Sequence, residues 1–530
     1  MIRNLRMGLV VLLAMLYLTA CSDTGTKGPL MYYVSVGGDD SNSGLSAEQA
    51  WQTIDKINQT DFSPGDLILL QGGEEFKGTI QLTGEDSGSE EHLIGISSFG
   101  EGKARVNGIN AEGLRADSCH YLTIENIEFI GSGRKNGNTT DGLLIRNCNS
   151  VLLDQLEAHG FQHSGVHLHK CNDARITRVY AHDNGFAGIH VTGSTMRDPE
   201  NYDNHNLYIA YCVAENNPGD PTVLENHSGN GILPSSVKGG IIEYCEAFNN
   251  GWDMVWTGNG PVGIWIWDCT ECTIQYCIAH HNRTNPVAAD GGGFDFDGGV
   301  SNSVIQYCIA HHNEGAGFGL YEFGSVKPWE NNIVRYNISL DDGIINGGSL
   351  GIWKNEDRGV MRNCQIYNNT FYNSQEDGNN LWIYNHYPGF QFRNNVFVYN
   401  GALIAEDQGL EEEVFQGNLY WNLAGESSFF GLGNLGEWAR FSGQETHQGE
   451  VVGRYMDPML IDPTSLEITD PEKISRESLH GFFPGPGSPL IDGGLDLKEL
   501  FNLDPGEKDI LGSAIPVNQK YDLGAVEYSE

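Results

Sequence analysis

Positive charge is what this sequence has least of. Its 530 residues carry 30 Lys and Arg against 70 Asp and Glu, a formal charge of −40, and a phosphate backbone is repelled over most of such a surface. Nucleic acid is excluded as a partner on that ground, and an anionic polysaccharide needs a local basic patch or a bound cation. Long apolar runs are nearly absent too. After residues 8–18 no segment approaches the ~20 apolar residues of a membrane span. Charged residues make up only 19% of the chain while glycine numbers 69, a balance that disfavours long surface helices and favours short strands joined by tight turns.

What is present begins with an export signal. Arg3 and Arg6 precede the apolar run, and Leu18-Thr19-Ala20-Cys21 closes it with small residues. That ending resembles a bacterial lipobox, which implies removal of residues 1–20, a lipid on Cys21 and attachment to an outer membrane, with no other contact to the bilayer. The alternative is an ordinary signal peptide cut elsewhere. Residues 21–30 read as a tether.

Ten cysteines remain. Cys212, Cys245, Cys277 and Cys308 each end the unit I-x-Y-C, spaced 33, 32 and 31 residues apart. Equivalent positions in successive repeats predict a buried column of free thiols rather than disulfides. Cys269 and Cys272 form a lone C-x-x-C, which without a second pair is a weak metal signal.

The same repeat runs through ITRVYAHDN (176–184), IAYCVAENN (209–217), IEYCEAFNN (242–250) and IQYCIAHHN (274–282 and again 305–313). A glycine and an alternating strand follow each unit, as in GVHLH, GIHVT, GIWIW, GFDFD, GFGLY and GIWKN. Strands only, at a period near 32, predict a solenoid whose coils bury their apolar sides on one another. The expected fold is all-β, a right-handed parallel β-helix over residues 76–425. A cap (31–75) precedes it and an irregular segment (426–530) packs on it. Asn184, Asn217, Asn250, Asn282 and Asn313 fall in turns as a structural ladder; His182, His281 and His312 read as structural as well.

The opening, with Tyr33, Gly38, Asp40, Asn42, Gly44 and Trp51, and the stretch PGDLILLQGGEEFKG resemble the N-terminal cap of pectate-lyase-like β-helix proteins. DPMLIDP (457–463), GSPLIDGG (487–494) and DLGAVEY (522–528) resemble their closing segment. The resemblance implies the fold and leaves the activity open, because lyases, hydrolases, epimerases and adhesins share this scaffold.

On such a solenoid the outward residues of the second strand stack into one ribbon. Two columns are expected: His167, His190, Trp265, Asp295, Gly319 and Trp353 in one, and His169, Thr192, Trp267, Asp297, Tyr321 and Asn355 in the other. Outward indoles beside carboxylates suit a glycan-binding groove, with Trp265, Trp267, Tyr321, Trp353, His167, His190 and Asp253 as substrate contacts. A loop packed over the tryptophans is the competing reading.

A glycosidase needs a carboxylic acid and a carboxylate. GGGFDFDGG (291–299) offers Asp295 with Asp297, two apart on one strand face; Asp297 with Glu322 of the next coil is the other pair. The region 291–325 resembles the catalytic region of family-120-type β-helix glycoside hydrolases. That implies Asp297 as nucleophile and Glu322 as acid and base, and requires the strand to end or bulge after Tyr321, since strict alternation turns Glu322 inward. The expectation is an exported, monomeric glycoside hydrolase that acts with retention on a plant or algal polysaccharide or oligosaccharide and needs no cofactor. Two rivals stand beside it. A polysaccharide lyase would use Lys354 or Lys238 as base and hold Ca²⁺ near Asp290, Asp295 and Asp297; a non-catalytic glycan-binding lipoprotein would need none of the acids.

Overall fold

The computed structural model describes residues 28–529 apart from 356, 357, 406–409, 411, 426–428, 430, 431 and 518. Cys21 lies outside the described residues. Each coil is three strands. Ser164–His169, Asn172–Thr177 and Tyr180–His182 make one; Ala187–Thr192, Asn204–Ala210 and Val213–Glu215 make the next. Like strands of successive coils pair in parallel, so three long sheets run along the axis and the chain is a parallel β-helix. The first and second sheets merge because Asn230–Glu243 and Val262–Gln275 run through the corner without a break.

The coils start earlier than expected and end later. Met31–Val34 already pairs in parallel with Leu67–Gln71, which pairs with Ile94–Phe99. At the other end Leu419–Asn422 pairs with Arg454–Tyr455. The irregular C-terminal segment covers apolar residues that point out of the third sheet: Leu466, Ile468, Leu479 and Phe482 cluster with Ile278, Ile309 and Ile338.

Period-two alternation sets what fills the solenoid. Ile264, Phe294, Phe318 and Leu350 occupy one register position in four successive coils and are fully buried, with the Phe294 and Phe318 rings stacked at 5.3 Å. Between the third and first sheets, Asn184, Asn217, Asn250, Asn282 and Asn313 form the predicted ladder. From Asn217 onward each side-chain oxygen accepts both the backbone N–H and the side-chain amide of the preceding rung, at 2.9–3.3 Å. The last rung is an acid: Asp342 accepts from Asn313 at 3.0 and 2.8 Å, and burial pushes its carboxyl up to about 7. All ten described cysteines are free and buried. Beyond Cys308 the thiol column becomes a second amide ladder, Asn337, Asn369, Asn395 and Asn418, which ends on Glu445. Cys269 and Cys272 are buried in the corner strand with their thiols toward backbone carbonyls, so the C-x-x-C is packing, not a metal knuckle.

The first sheet carries the ribbon. Insertions flank it on both sides, residues 218–229, 252–261, 284–291 and 343–348 before its strands and residues 193–203, 297–303 and 323–328 after them. They turn a flat strip into a walled one.

Candidate active site

The ribbon's register places Asp295 beside Trp265 on one side and Gly319 on the other, followed by Gly351 and Trp382. The neighbouring column runs through Tyr321, Trp353 and Tyr384. Trp353 is therefore opposite Tyr321, not Gly319, because Leu350 rather than Ile352 takes the inward place next to Phe318. The slip is two residues, so the facing of Trp353 is unchanged. Trp382 and Tyr384, absent from the sequence reading, extend both columns; the alternation of LWIY (381–384) is their signal.

Asp295 points away from the solenoid core, as its alternation with Phe294 and Phe296 requires, yet it is only 3% exposed. Its cover is the Tyr321 ring. A β-carbon on Gly319 would lie 2.6 Å from Tyr321 Cε2 and 3.1 Å from Asp295 Oδ1, and one on Gly351 would lie 2.5 Å from the Tyr321 hydroxyl. The two glycines thus form a hollow in which Tyr321 lies back across the ribbon against Asp295. Asp295 Oδ1 is buried with no hydrogen-bond partner. Burial first, then the charges of Asp297 and Asp290, hold this carboxyl well above the usual carboxylate range. An orphaned, buried acid among acids favours its neutral, proton-bearing form.

Asp297 follows on the same face, partly exposed, with Oδ1 accepting from Gly298 N–H at 2.7 Å. Burial raises its carboxyl too, the Gly298 bond opposes, and Asp290 and Glu322 add to the rise. Asp290 sits at the edge of the same cluster: its Oδ2 accepts from Gly260 N–H at 2.8 Å and burial pushes its carboxyl up to about 6. The phenol of Tyr321 is held well above its ordinary value, mainly by burial and next by Asp290, Asp295 and Asp297. These four side chains form one electrostatic unit, in which like charges keep protons at a pH where a lone carboxyl would lose them.

Glu322 is a correction. The strand Phe318–Glu322 neither ends nor bulges after Tyr321, and Glu322 pairs in register with Lys354. Alternation carries it inward, fully buried. Its Oε1 accepts from Gly324 and Ser325 N–H at 2.6 Å each and its Oε2 from Gly299 N–H at 2.9 Å. Both oxygens are committed to backbone, so Glu322 pins the loops on either side of it and is not aimed at a leaving group. Lys327 braces the same wall, its ammonium bonded to Asp268 and, at 3.1 Å, to Thr195 O.

Several expected sugar contacts are otherwise engaged. Trp265 is 3% exposed; it packs with Leu233 and Val262, meets His227 edge-on at 5.1 Å and donates to Asn230 Oδ1 at 3.1 Å. The loop that covers it is 218–229, so it walls the groove instead of stacking on a sugar. Asp253 is held by Arg134 and Lys135, whose charges draw its carboxyl below the ordinary range against the pull of burial. It ties its loop to residues 134–135 and is not a free groove acid. His167 and His190 do lie in the ribbon, stacked at 4.8 Å. His167 is bonded through Nδ1 to Asp141 at 3.0 Å and through Nε2 to Thr192 at 2.9 Å, and burial keeps His190 neutral well below its usual range. Trp267 and Trp353 remain partly exposed along the ribbon.

Of the two lysines weighed as a base, Lys238 pairs with Glu271 at 3.4 Å on the second-sheet half of its strand, away from the acids; Lys354 lies across from Glu322. Among the described residues, the groups whose ligand atoms converge within 4.8 Å are His280–His281–His311 and Glu157–His159–His182. Asp290, Asp295 and Asp297 do not converge in this way, and two of them already spend an oxygen on backbone, so the trio does not fit the six to eight oxygens of a calcium ion.

Residues 32–342 match the family model described as Pel9A-like, right handed beta helix region. Over 136 residues, 25% of this chain, the sequence is 26% identical to Lacto-N-biosidase of Bifidobacterium longum subsp. longum, a match that spans 8% of that protein's length. The crystal structure of GH136 lacto-N-biosidase from Eubacterium ramulus superposes with a TM-score of 0.51 at 18% identity, covering 74% of this chain and 67% of that one. The crystal structure of pectate lyase Pel9A covers 95% of this chain and 98% of its own at 15% identity, with a TM-score of 0.41. With well over half of its length matched by that model, the chain belongs to the Pel9A-like family of right-handed β-helix proteins.

Proposed function

We propose that this protein is a glycoside hydrolase, with Asp295 as the acid that protonates the leaving oxygen and Asp297 as the carboxylate that attacks the anomeric carbon. The observation that carries this reading is the pair itself: Asp295 in the strand with Oδ1 buried and unpartnered, and Asp297 just past the strand's end, partly exposed and steered by Gly298 N–H, with both carboxyls raised. A glycosidase assigns its two acids by environment rather than by residue type; here both carboxyls are raised and exposure is what distinguishes them. Side chains two apart on a strand have α-carbons ~6.5–7 Å apart and can lean to the ~5–5.5 Å of retaining chemistry. Tyr321, Trp353 and Trp267 then offer aromatic faces to the sugar rings on either side. The partial likeness to lacto-N-biosidase supports an oligosaccharide as substrate. The signal ending at Cys21 supports attachment to an outer membrane.

The second reading is a polysaccharide lyase, another activity this scaffold carries. β-Elimination from a uronate needs a base beside the acidic sugar and a cation to quench its charge. The charges that most affect Asp295 are those of Asp297 and Asp290, which repel such a sugar. Purified protein incubated with a panel of neutral oligosaccharides, aryl glycosides and uronate polymers separates the readings. Hydrolysis yields reducing sugar with no new ultraviolet absorbance and, by proton NMR of the nascent product, a retained anomer. Absorbance from an unsaturated uronate overturns the hydrolase in favour of the lyase, and silence on every glycan overturns both.

A further inference from the structure

The third sheet carries a feature with no part in the groove. At the end of each of its strands an outward residue is followed by a turn residue in the left-handed conformation. The outward column reads His159, His182, Glu215, Phe248, His280, His311 and Leu340. The turn column reads Asp183, Asn216, Asn249, His281, His312 and Asp341, with φ between 50° and 55°. Asn and Asp are the usual side chains for that backbone. In two adjacent coils alone among these, histidine fills both columns at once.

The left-handed turn folds each second ring back against the first. His280 and His281 stand at 88° to one another with their Nδ1 atoms 2.9 Å apart; His311 and His312 stand at 87° with Nδ1 atoms 3.1 Å apart. Coil stacking then superposes the two pairs, His280 on His311 at 4.6 Å and His281 on His312 at 5.3 Å. We propose that His280, His281 and His311, whose ligand nitrogens lie within 4.8 Å of one another, form a binding site for one late first-row divalent metal ion of the zinc, nickel and copper group, with His312 packed beside it.

Two observations support it. Ligand nitrogens at bond lengths of ~2.0–2.1 Å from a common metal are roughly 2.9–3.4 Å apart when adjacent, and the His280–His281 Nδ1 pair, at 2.9 Å, has that bite. The far nitrogens of the two buried rings are anchored: His280 Nε2 donates to Glu246 Oε1 at 3.0 Å and His311 Nε2 to Ile468 O at 3.2 Å. A carboxylate and a carbonyl in those places fix the Nε2–H tautomer and leave the Nδ1 lone pairs as ligands, the second-shell arrangement that orients metal-binding histidines. His281, exposed at the turn, needs only move its proton from Nδ1 to Nε2 to serve as a ligand. At the other convergent group both nitrogens of His182 already face carboxylates, Asp183 and Glu157. Imidazole-only donors select borderline ions and not calcium or magnesium.

The site joins two coils to the C-terminal segment through Ile468, so an ion there staples that segment to the third sheet. The test uses chelator-stripped full-length protein without a polyhistidine tag, titrated with zinc chloride by calorimetry. The comparison is the double variant His281→Asn/His312→Asn, which installs the side chain that Asn216 and Asn249 place in the same turn and so keeps the fold. The expected result is one equivalent fewer in the variant, or at least a 100-fold weaker affinity. Co²⁺ should give visible ligand-field absorption in wild type only, and zinc should raise the melting temperature of wild type only. Asp297→Asn, remote on the first sheet, should bind zinc as wild type does, which keeps this outcome separate from the fate of the proposed hydrolase. Equal stoichiometry and affinity in wild type and double variant would overturn the site.

Discussion

Replacing Asp295 with Asn tests the proposed chemistry most directly, because it removes a proton while leaving the shape. In the folded protein burial and two acidic neighbours keep this carboxyl neutral, so the neutral amide changes little around it. If Asp295 is the general acid, kcat/KM on an unactivated glycan should fall ~10²–10⁴-fold, about 2.7–5.4 kcal/mol of barrier. An aryl glycoside whose phenolate leaves without help should lose under ~10-fold, since its departure does not need the proton. Stability supplies an independent arm with a definite sign. A carboxyl raised in the folded state is ionised first in the unfolded chain, so wild type loses stability as pH climbs from the unfolded value of ~3.9 towards the folded one, at up to ~1.4 kcal/mol per pH unit. The amide has no such loss. Differential scanning calorimetry should find the two proteins alike near pH 3.5 and the variant the more stable by pH 6, with the gap widening on the way. An equal loss of activity on both substrates, or a variant less stable than wild type at pH 6, would refute the reasoning.

Three further predictions follow from the same contacts. Asp290, raised to about 6, is ionised above that pH and its charge helps Asp295 and Asp297 keep their proton; in Asp290→Asn the alkaline limb of the kcat/KM profile, recorded from pH 4 to 9, should move to lower pH, and an unmoved limb counts against the coupling. Gly319→Ala puts a methyl 2.6 Å from the Tyr321 ring, so the ring must leave its hollow; we expect a loss on the order of 10²-fold in kcat/KM from misplaced side chains with circular dichroism unchanged. Glu322→Gln turns an amide towards backbone N–H groups that now meet carboxylate oxygens; leaving one buried donor unsatisfied costs about 1–3 kcal/mol. Its melting temperature should fall and its activity on glycan and aryl glycoside should drop in parallel, whereas selective rescue of the aryl substrate by azide would restore Glu322 as the acid and base.

How far the residues alone reach is set by what a repeat can encode. Alternation gives parity, and parity was legible: Phe294 and Phe296 in, Asp295 and Asp297 out, Glu322 in unless its strand broke. The ladder was legible for a related reason, since an Asn every 31–33 residues has the next Asn as its neighbour and nothing else. Register between coils is harder. GIWKN looks like GFGLY from its glycine onward, yet the coil aligns Leu350 with Phe318, because an inserted loop at 343–348 absorbs the two residues of offset. Alternation cannot detect a slip of two, so Trp353 was placed in the wrong column with the right facing.

Cover was legible only as the competing reading, a loop over the tryptophans, and not as to which loop or which residue. Outward from a coil and open to water are different properties, and the repeat specifies only the first. Trp265 is outward and buried because the inserted loop 218–229 brings His227 onto it and the strand that follows supplies Asn230. Asp253 is neutralised because Arg134 and Lys135, 119 and 118 residues earlier, reach it from the loop before another first-sheet strand. Asp295 is the same case with a chemical result. Its perturbed proton affinity comes first from burial, with Tyr321 lying back over two glycines in the following coils, next from Asp297, which the alternation announced, and then from Asp290 at the end of an inserted loop. The solenoid therefore supplies a ruled surface on which carboxylates recur at fixed spacing, and the insertions decide which of them is dry enough to hold a proton. Within this family the place to look for a change of activity is then the loops before and after the first sheet's strands, more than the strands themselves.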